Sequence, residues 1–217
     1  MIGFYNYTVI LTYLGLLSSC LGIFLTYQGH YLVAVFCLII SGLCDMFDGV
    51  VARSCKTRSE QAKCFGIQID SLCDLICFGV YPAIFGYIFT CRFYPDMTLI
   101  SVPVSSLFIL CAVIRLGYFN VMEMERQKQT TEARKHYQGV PVTSIAGLLP
   151  LVFIFRNTLG YMNFALALNI LLLCIAVLFV LNIKIPKPHK KGIIIMSLMF
   201  LVVMIVLVLQ GLEVINF

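Results

Sequence analysis

The sequence predicts an all-α fold, a polytopic bundle of membrane-crossing helices, on three observations. Of the 217 residues, 61% are hydrophobic and only 12% charged, against about 25% charged in an ordinary soluble domain. The apolar residues fall in blocks close to the roughly 20 residues a helix needs to cross a bilayer. The lysines and arginines collect in alternate connections between those blocks.

Taken in order, the spans are expected near 7–27, 31–52, 66–90, 98–120, 141–157, 160–182 and 192–212. The first has no basic stretch before it and no small-residue cleavage site, so it reads as a retained helix, not a signal peptide. The second and third are apolar except for aspartates at their facing ends, and the fourth contains one arginine, Arg115. The fifth is short, which leaves a count of six, seven or eight helices open. The last is a seventh helix or half of a hairpin, and it has no assigned function. Nothing in the chain marks a separate soluble domain, an internal repeat or a low-complexity tail.

Orientation follows from the basic residues. Arg53, Lys56, Arg58 and Lys63 lie in one connection, Arg126, Lys128, Arg134 and Lys135 in a second, and Lys184, Lys187, Lys190 and Lys191 in a third. The intervening connections offer Arg92 and Arg156. Positive charge stays on the cytoplasmic side, so the first three loops are expected there, in a cell (inner) membrane. The net charge of +5 is explained by topology and anionic head groups, with no nucleic-acid partner. The ten cysteines contain no C-x-x-C pair and no histidine at zinc spacing. Cys20, Cys37, Cys111 and Cys174 lie inside apolar blocks, where cysteine behaves as a small hydrophobe. Cys73 and Cys77 also read as packing residues, because soft thiolates and hard carboxylates favour different ions.

The chemistry is concentrated in four of the five aspartates. Asp45 and Asp48 are spaced i, i+3, and Asp70 and Asp74 i, i+4, so each pair shares one helix face. Carboxylates at membrane depth are costly and are seldom found without a counter-charge. Two facing pairs would form an anionic oxygen cage for hard divalent cations. Gly49, Ala52 and Gly66 bracket the aspartates with minimal side chains, which permits close approach of a ligand or of another helix. Arg53 is placed to anchor the helix at the interface or to hold a phosphate with its planar fork. A cluster of this kind suits metal-assisted displacement at phosphorus, with one carboxylate acting as general base toward a hydroxyl.

The string Asp45-x2-Asp48-Gly49-x2-Ala52-Arg53…Gly66-x3-Asp70-x3-Asp74 resembles the signature of the CDP-alcohol phosphatidyltransferase family, with every fixed position present. The resemblance extends across roughly 1–182, leaving 183–217 as a basic loop and an additional C-terminal helix. It implies a six-helix core, usually homodimeric, that moves the phosphatidyl group of a CDP-linked lipid onto an alcohol and releases CMP. It further implies that Asp45, Asp48, Asp70 and Asp74 bind two divalent ions, Mg2+ or Mn2+, and that Asp74 is the general base. Gly49, Ala52 and Gly66 match positions lining the nucleotide groove, with Arg53 near the phosphates.

The insert Ser54 to Phe65 is longer than the commonest family spacing. With Phe78-Gly79-Val80…Pro82-Ala83, Arg115-Leu116-Gly117-Tyr118-Phe119-Asn120 and Gln138-Gly139-Val140-Pro141-Val142-Thr143-Ser144, it is similar to the phosphatidylserine synthase branch. That branch implies CDP-diacylglycerol as donor and L-serine as acceptor. Arg115 inside an apolar helix requires a partner or ligand, either an aspartate or an anionic group such as a phosphate or the serine carboxylate. Asn120, Thr143 and Ser144 lie at the same level and are candidates to orient the acceptor. Thr8 is a candidate nucleotide contact, or simply a helix cap.

Two other readings compete. The same transfer could go to glycerol 3-phosphate or an inositol derivative, which would call for more basic residues facing the pocket. A cation-coupled transporter could use the aspartates as an ion path, but such proteins often carry matching halves, and no second carboxylate cluster occurs; Glu123, Glu125 and Glu132 sit in a charged loop.

Overall fold

The computed structural model describes residues 9–54, 59–129, 136–186 and 190–212. Helices α1 (Ile10–Gln28) and α2 (Tyr31–Ser54) form an antiparallel hairpin. The third span is one continuous helical rod of three parts: α3 (Glu60–Asp74), a π-helical turn (Leu75–Val80) and α4 (Tyr81–Phe93). After it come α5 (Thr98–Gln129), α6 (Ile145–Phe153), a single turn α7 (Arg156–Leu159), α8 (Tyr161–Val180) and α9 (Lys190–Gly211). Among the described residues, five helical segments are long and apolar enough to span a bilayer, and Val142–Phe153 and Ser197–Gly211 are shorter apolar helices. This is the architecture of an integral membrane protein. A three-residue antiparallel ladder, β1 (His136–Gln138) with β2 (Lys184–Pro186), joins two of the connections.

The α1–α2 contact is built from small residues. Gly15, Ser19, Gly22 and Thr26 recur along the buried face of α1, a spacing that lets membrane helices approach closely. Ser41 of α2 donates to the Gly15 carbonyl at 2.7 Å and lies 2.7 Å from the Ser19 hydroxyl. At Gly22 the approach is from α4: a Cβ there would overlap the Tyr81 ring, whose hydroxyl donates to the Ala34 carbonyl.

The π-helical turn has a local cause. Pro82 sits in the first turn of α4, and proline lacks an N–H and clashes with the carbonyl four residues earlier. That carbonyl belongs to Phe78, inside the widened turn. The rod relieves the conflict by opening to the i→i+5 pattern instead of breaking.

The end of the bundle away from the aspartates is closed by aromatic packing. Tyr31, Phe89, Phe93 and Tyr161 pack with ring centroids 4.6–6.2 Å apart, and Phe164 stands edge-on to Phe89 at 5.0 Å. The fifth expected span is interrupted, ending as α6 at Phe153 and resuming as α7. The seventh is a single helix. It packs on α2 and α6 through Phe200, Val203, Leu207 and Gln210, all buried. Gln210 accepts from Arg156 at 2.6 Å and donates to the Ile154 carbonyl at 2.9 Å.

Candidate functional site

The antiparallel run of α1 and α2, with α3 beside them, puts Thr12, the aspartates of α2 and those of α3 at one end of the bundle. There Asp45, Asp70 and Asp74 converge, each offering a carboxylate oxygen within 4.8 Å of the others. Asp48 is 7% exposed and accepts a hydrogen bond from Thr12 Oγ1 at 2.8 Å. The carboxyls meet across the two helices, Asp45 beside Asp74 and Asp48 beside Asp70. Thr12, Gly15, Asp45, Asp48 and Asp74 line a cleft whose enclosed part is about the size of one water molecule.

The donor set fits a hard divalent ion. All the converging atoms are carboxylate oxygens. Oxygens bound to Mg2+ at about 2.1 Å lie no more than about 4.2 Å from each other, so small side-chain rotations would close the set. Cys73 and Cys77 are buried and line the same cleft.

A second group of polar side chains faces the same end. Asn120 of α5 accepts from Ser71 of α3 at 2.7 Å, which ties it to the helix carrying Asp70 and Asp74. Arg115, 6% exposed, donates through Nε to the Val140 carbonyl at 3.2 Å and through Nη2 to the Gly139 carbonyl at 3.4 Å. Its guanidinium lies 5.8 Å from the Phe119 ring centroid. Gly139 has φ +76°, a left-handed conformation that only glycine adopts freely, and its N–H donates to the Ile183 carbonyl at 2.7 Å. The chain then enters a 3-10 turn, Val142–Ser144, that packs on the π-helical turn and α5. Thr143 and Ser144 are half-buried, and the Ser144 hydroxyl is enclosed with no hydrogen-bond partner among the described residues.

Gly49 and Gly66 lie on α2 and α3 with the aspartates. Thr8 and the side chains of Ala52 and Arg53 lie outside the described residues. Sequence reasoning missed Thr12 and Ser71. Neither carries a charge or a motif position; the signal for Thr12 would have been a hydroxyl at the aspartate end of the neighbouring span.

A membrane helix bundle with converging carboxylates at one end defines a membrane protein with a candidate divalent-cation site. The family model described as CDP-alcohol phosphatidyltransferase matches residues 5–215, and the chain belongs to that family. It is 34% identical over 148 residues to a CDP-diacylglycerol–serine O-phosphatidyltransferase of Saccharomyces cerevisiae, covering 67% of this chain and 50% of the yeast protein. It is 31% identical over 211 residues to the Helicobacter pylori protein of the same name, covering 93% of this chain and 81% of that one. An archaetidylserine synthase of Methanothermobacter thermautotrophicus is 30% identical over 183 residues, covering 84% and 70%.

Proposed function

We propose that this chain transfers the phosphatidyl group of CDP-diacylglycerol to L-serine, giving phosphatidylserine and CMP. The observation that carries the chemistry is the convergence of Asp45, Asp70 and Asp74 on an end of the bundle. The acceptor is supported by the relatives, whose names share serine while differing in the lipid.

In this reading the serine hydroxyl attacks the phosphorus that bears diacylglycerol. The new oxygen–phosphorus bond forms as the phosphoanhydride bond breaks, and CMP leaves with that electron pair. Asp74 takes the hydroxyl proton, as the family pattern implies, from within the carboxylate cluster. Divalent ions held by Asp45, Asp48, Asp70 and Asp74 would neutralise charge on the phosphate oxygens. By the family pattern, Gly49, Ala52 and Gly66 line the nucleotide groove and Arg53 binds the phosphates, with Thr8 as a further nucleotide contact. Arg115 fixes the 139–140 segment, and with it the turn bearing Thr143 and Ser144. The enclosed Ser144 hydroxyl and the Asn120 amide are then positioned for a small polar acceptor. The diacyl tails remain in the bilayer. The positive charge of the loops supports a site on the cytoplasmic side of the cell membrane, and the family pattern supports a homodimer.

The test is CMP release by purified protein in detergent with Mg2+ or Mn2+, comparing serine, glycerol 3-phosphate and inositol phosphate. Release driven by serine alone supports the proposal. Release driven by a phosphorylated alcohol instead would keep the family chemistry and overturn the acceptor.

A further inference from the structure

We propose that Thr12 is a positioning residue for Asp48, holding that carboxylate as one arm of a divalent-cation site; this rests on the reading of the carboxylate cluster given above. Thr12 stands on α1, outside the segment that carries the aspartates, and its hydroxyl reaches across to Asp48 Oδ2 at 2.8 Å. Two other threonines of the bundle behave differently. Thr26 and Thr90 donate to the carbonyls of Gly22 and Gly86, four residues back on their own helices, at 2.7 Å each. Such back-bonding is the ordinary fate of a hydroxyl inside a helix. Thr12 instead bonds a partner 36 residues away, at the wall of the same cleft that Asp48 and Asp74 line.

The geometry gives this bond a purpose. Asp45, Asp70 and Asp74 already share a point of convergence, whereas Asp48 lies outside that set, beside Asp70. With Oδ2 held by Thr12, rotation of the Asp48 carboxylate is restricted and its placement next to Asp70 is maintained. Groups that hydrogen-bond to ligating carboxylates typically change metal affinity by about 10- to 100-fold when removed. Valine has nearly the shape of threonine without the hydroxyl, and serine retains the hydroxyl, so the pair isolates the hydrogen bond.

The experiment is Mn2+ titration of the full chain in detergent, followed by the electron paramagnetic resonance signal of free Mn2+. Wild type, Thr12→Val, Thr12→Ser and Asp48→Asn are compared, with metal-free thermal unfolding of each. The expected result is Mn2+ binding weakened by about 10- to 100-fold in Thr12→Val, with a similar loss in Asp48→Asn. Thr12→Ser should stay close to wild type in both affinity and metal-free unfolding. Thr12→Val should lose no more metal-free stability than one hydrogen bond supplies, about fivefold in the unfolding equilibrium or about 1 kcal/mol. Wild-type Mn2+ affinity in Thr12→Val overturns the proposal while leaving the carboxylate site standing. Equal weakening in Thr12→Val and Thr12→Ser with lowered metal-free stability also overturns it, in favour of a helix-packing role. No Mn2+ uptake by the wild type would overturn the carboxylate-site reading itself and this proposal with it.

Discussion

The Ser71 hydroxyl donates to Asn120 Oδ1 at 2.7 Å, joining the helix of the second aspartate pair to the helix of Arg115. This bond orients the Asn120 amide, leaving its NH2 as the group available to an acceptor. Loss of a hydrogen bond of this kind costs about 1 kcal/mol, or about fivefold in an equilibrium. Ser71→Ala is therefore expected to raise the KM for serine about fivefold and leave the KM for CDP-diacylglycerol unchanged. CMP release measured against each substrate in turn checks this; equal changes in both would contradict the role given to Asn120.

Asp74→Asn keeps the size of the side chain and removes its basicity. Turnover should fall by about 10²- to 10⁴-fold, the usual contribution of a general base. CDP binding, followed by calorimetry, should be retained in part. Activity near wild type in this variant would remove Asp74 from the base role.

Arg115 makes two hydrogen bonds to consecutive carbonyls, Gly139 and Val140. A lysine cannot reproduce that fork. Hydrogen bonds from a charged group are worth about 1.5–3 kcal/mol each, so Arg115→Lys should lower kcat/KM for serine by roughly tenfold or more. Steady-state kinetics on a variant with an unchanged gel-filtration profile is the measurement.

Gly22→Ala should destabilise the bundle, since the new methyl group would overlap the Tyr81 ring. Overpacking of this kind costs about 1–3 kcal/mol. Tyr81→Phe, which only removes the hydrogen bond to Ala34, should cost about 1 kcal/mol. Thermal unfolding in detergent ranks the two.

Gln210 both accepts from Arg156 and donates to the Ile154 carbonyl. Gln210→Leu would leave those groups without this partner, at about 1–3 kcal/mol, and should loosen α9 with little change in CMP release. Limited proteolysis near the C-terminus and a parallel activity assay distinguish docking of α9 from a direct part in the reaction.

The long helices were legible because hydropathy reports burial in lipid directly, and the spans at 31–52 and 160–182 agree with α2 and α8 to within two residues. The span expected to end at 120 instead continues as α5 to Gln129, so Glu123 and Glu125 stand on a helix and not in the expected loop. Hydropathy marks the lipid boundary and not the helix end. The aspartate cluster was legible too, because charge in an apolar block is conspicuous and its spacing fixes a helix face. What the sequence concealed were relationships between helices. Thr12 meets Asp48, Ser71 meets Asn120 and Arg115 meets Gly139 only after the bundle packs, and no periodicity encodes those meetings. The break after Phe153 and the short ladder between β1 and β2 depend on backbone hydrogen bonds that hydropathy does not register. The widened turn before Pro82 left a trace in the proline itself, but the choice between opening and kinking is made by the surrounding packing.

That turn has a geometric consequence for the whole rod. Successive residues of an α-helix advance by about 100° around the axis, so one residue absorbed into a π-helical turn shifts the phase between the segments on either side. Below the turn, Asp70 and Asp74 must face α2; above it, Tyr81 must face the glycine stripe of α1. The Leu75–Val80 turn is an angular coupling between those two faces, and deleting a single residue from it would rotate the carboxylates out of register with the rest of the bundle while leaving every one of them in the chain.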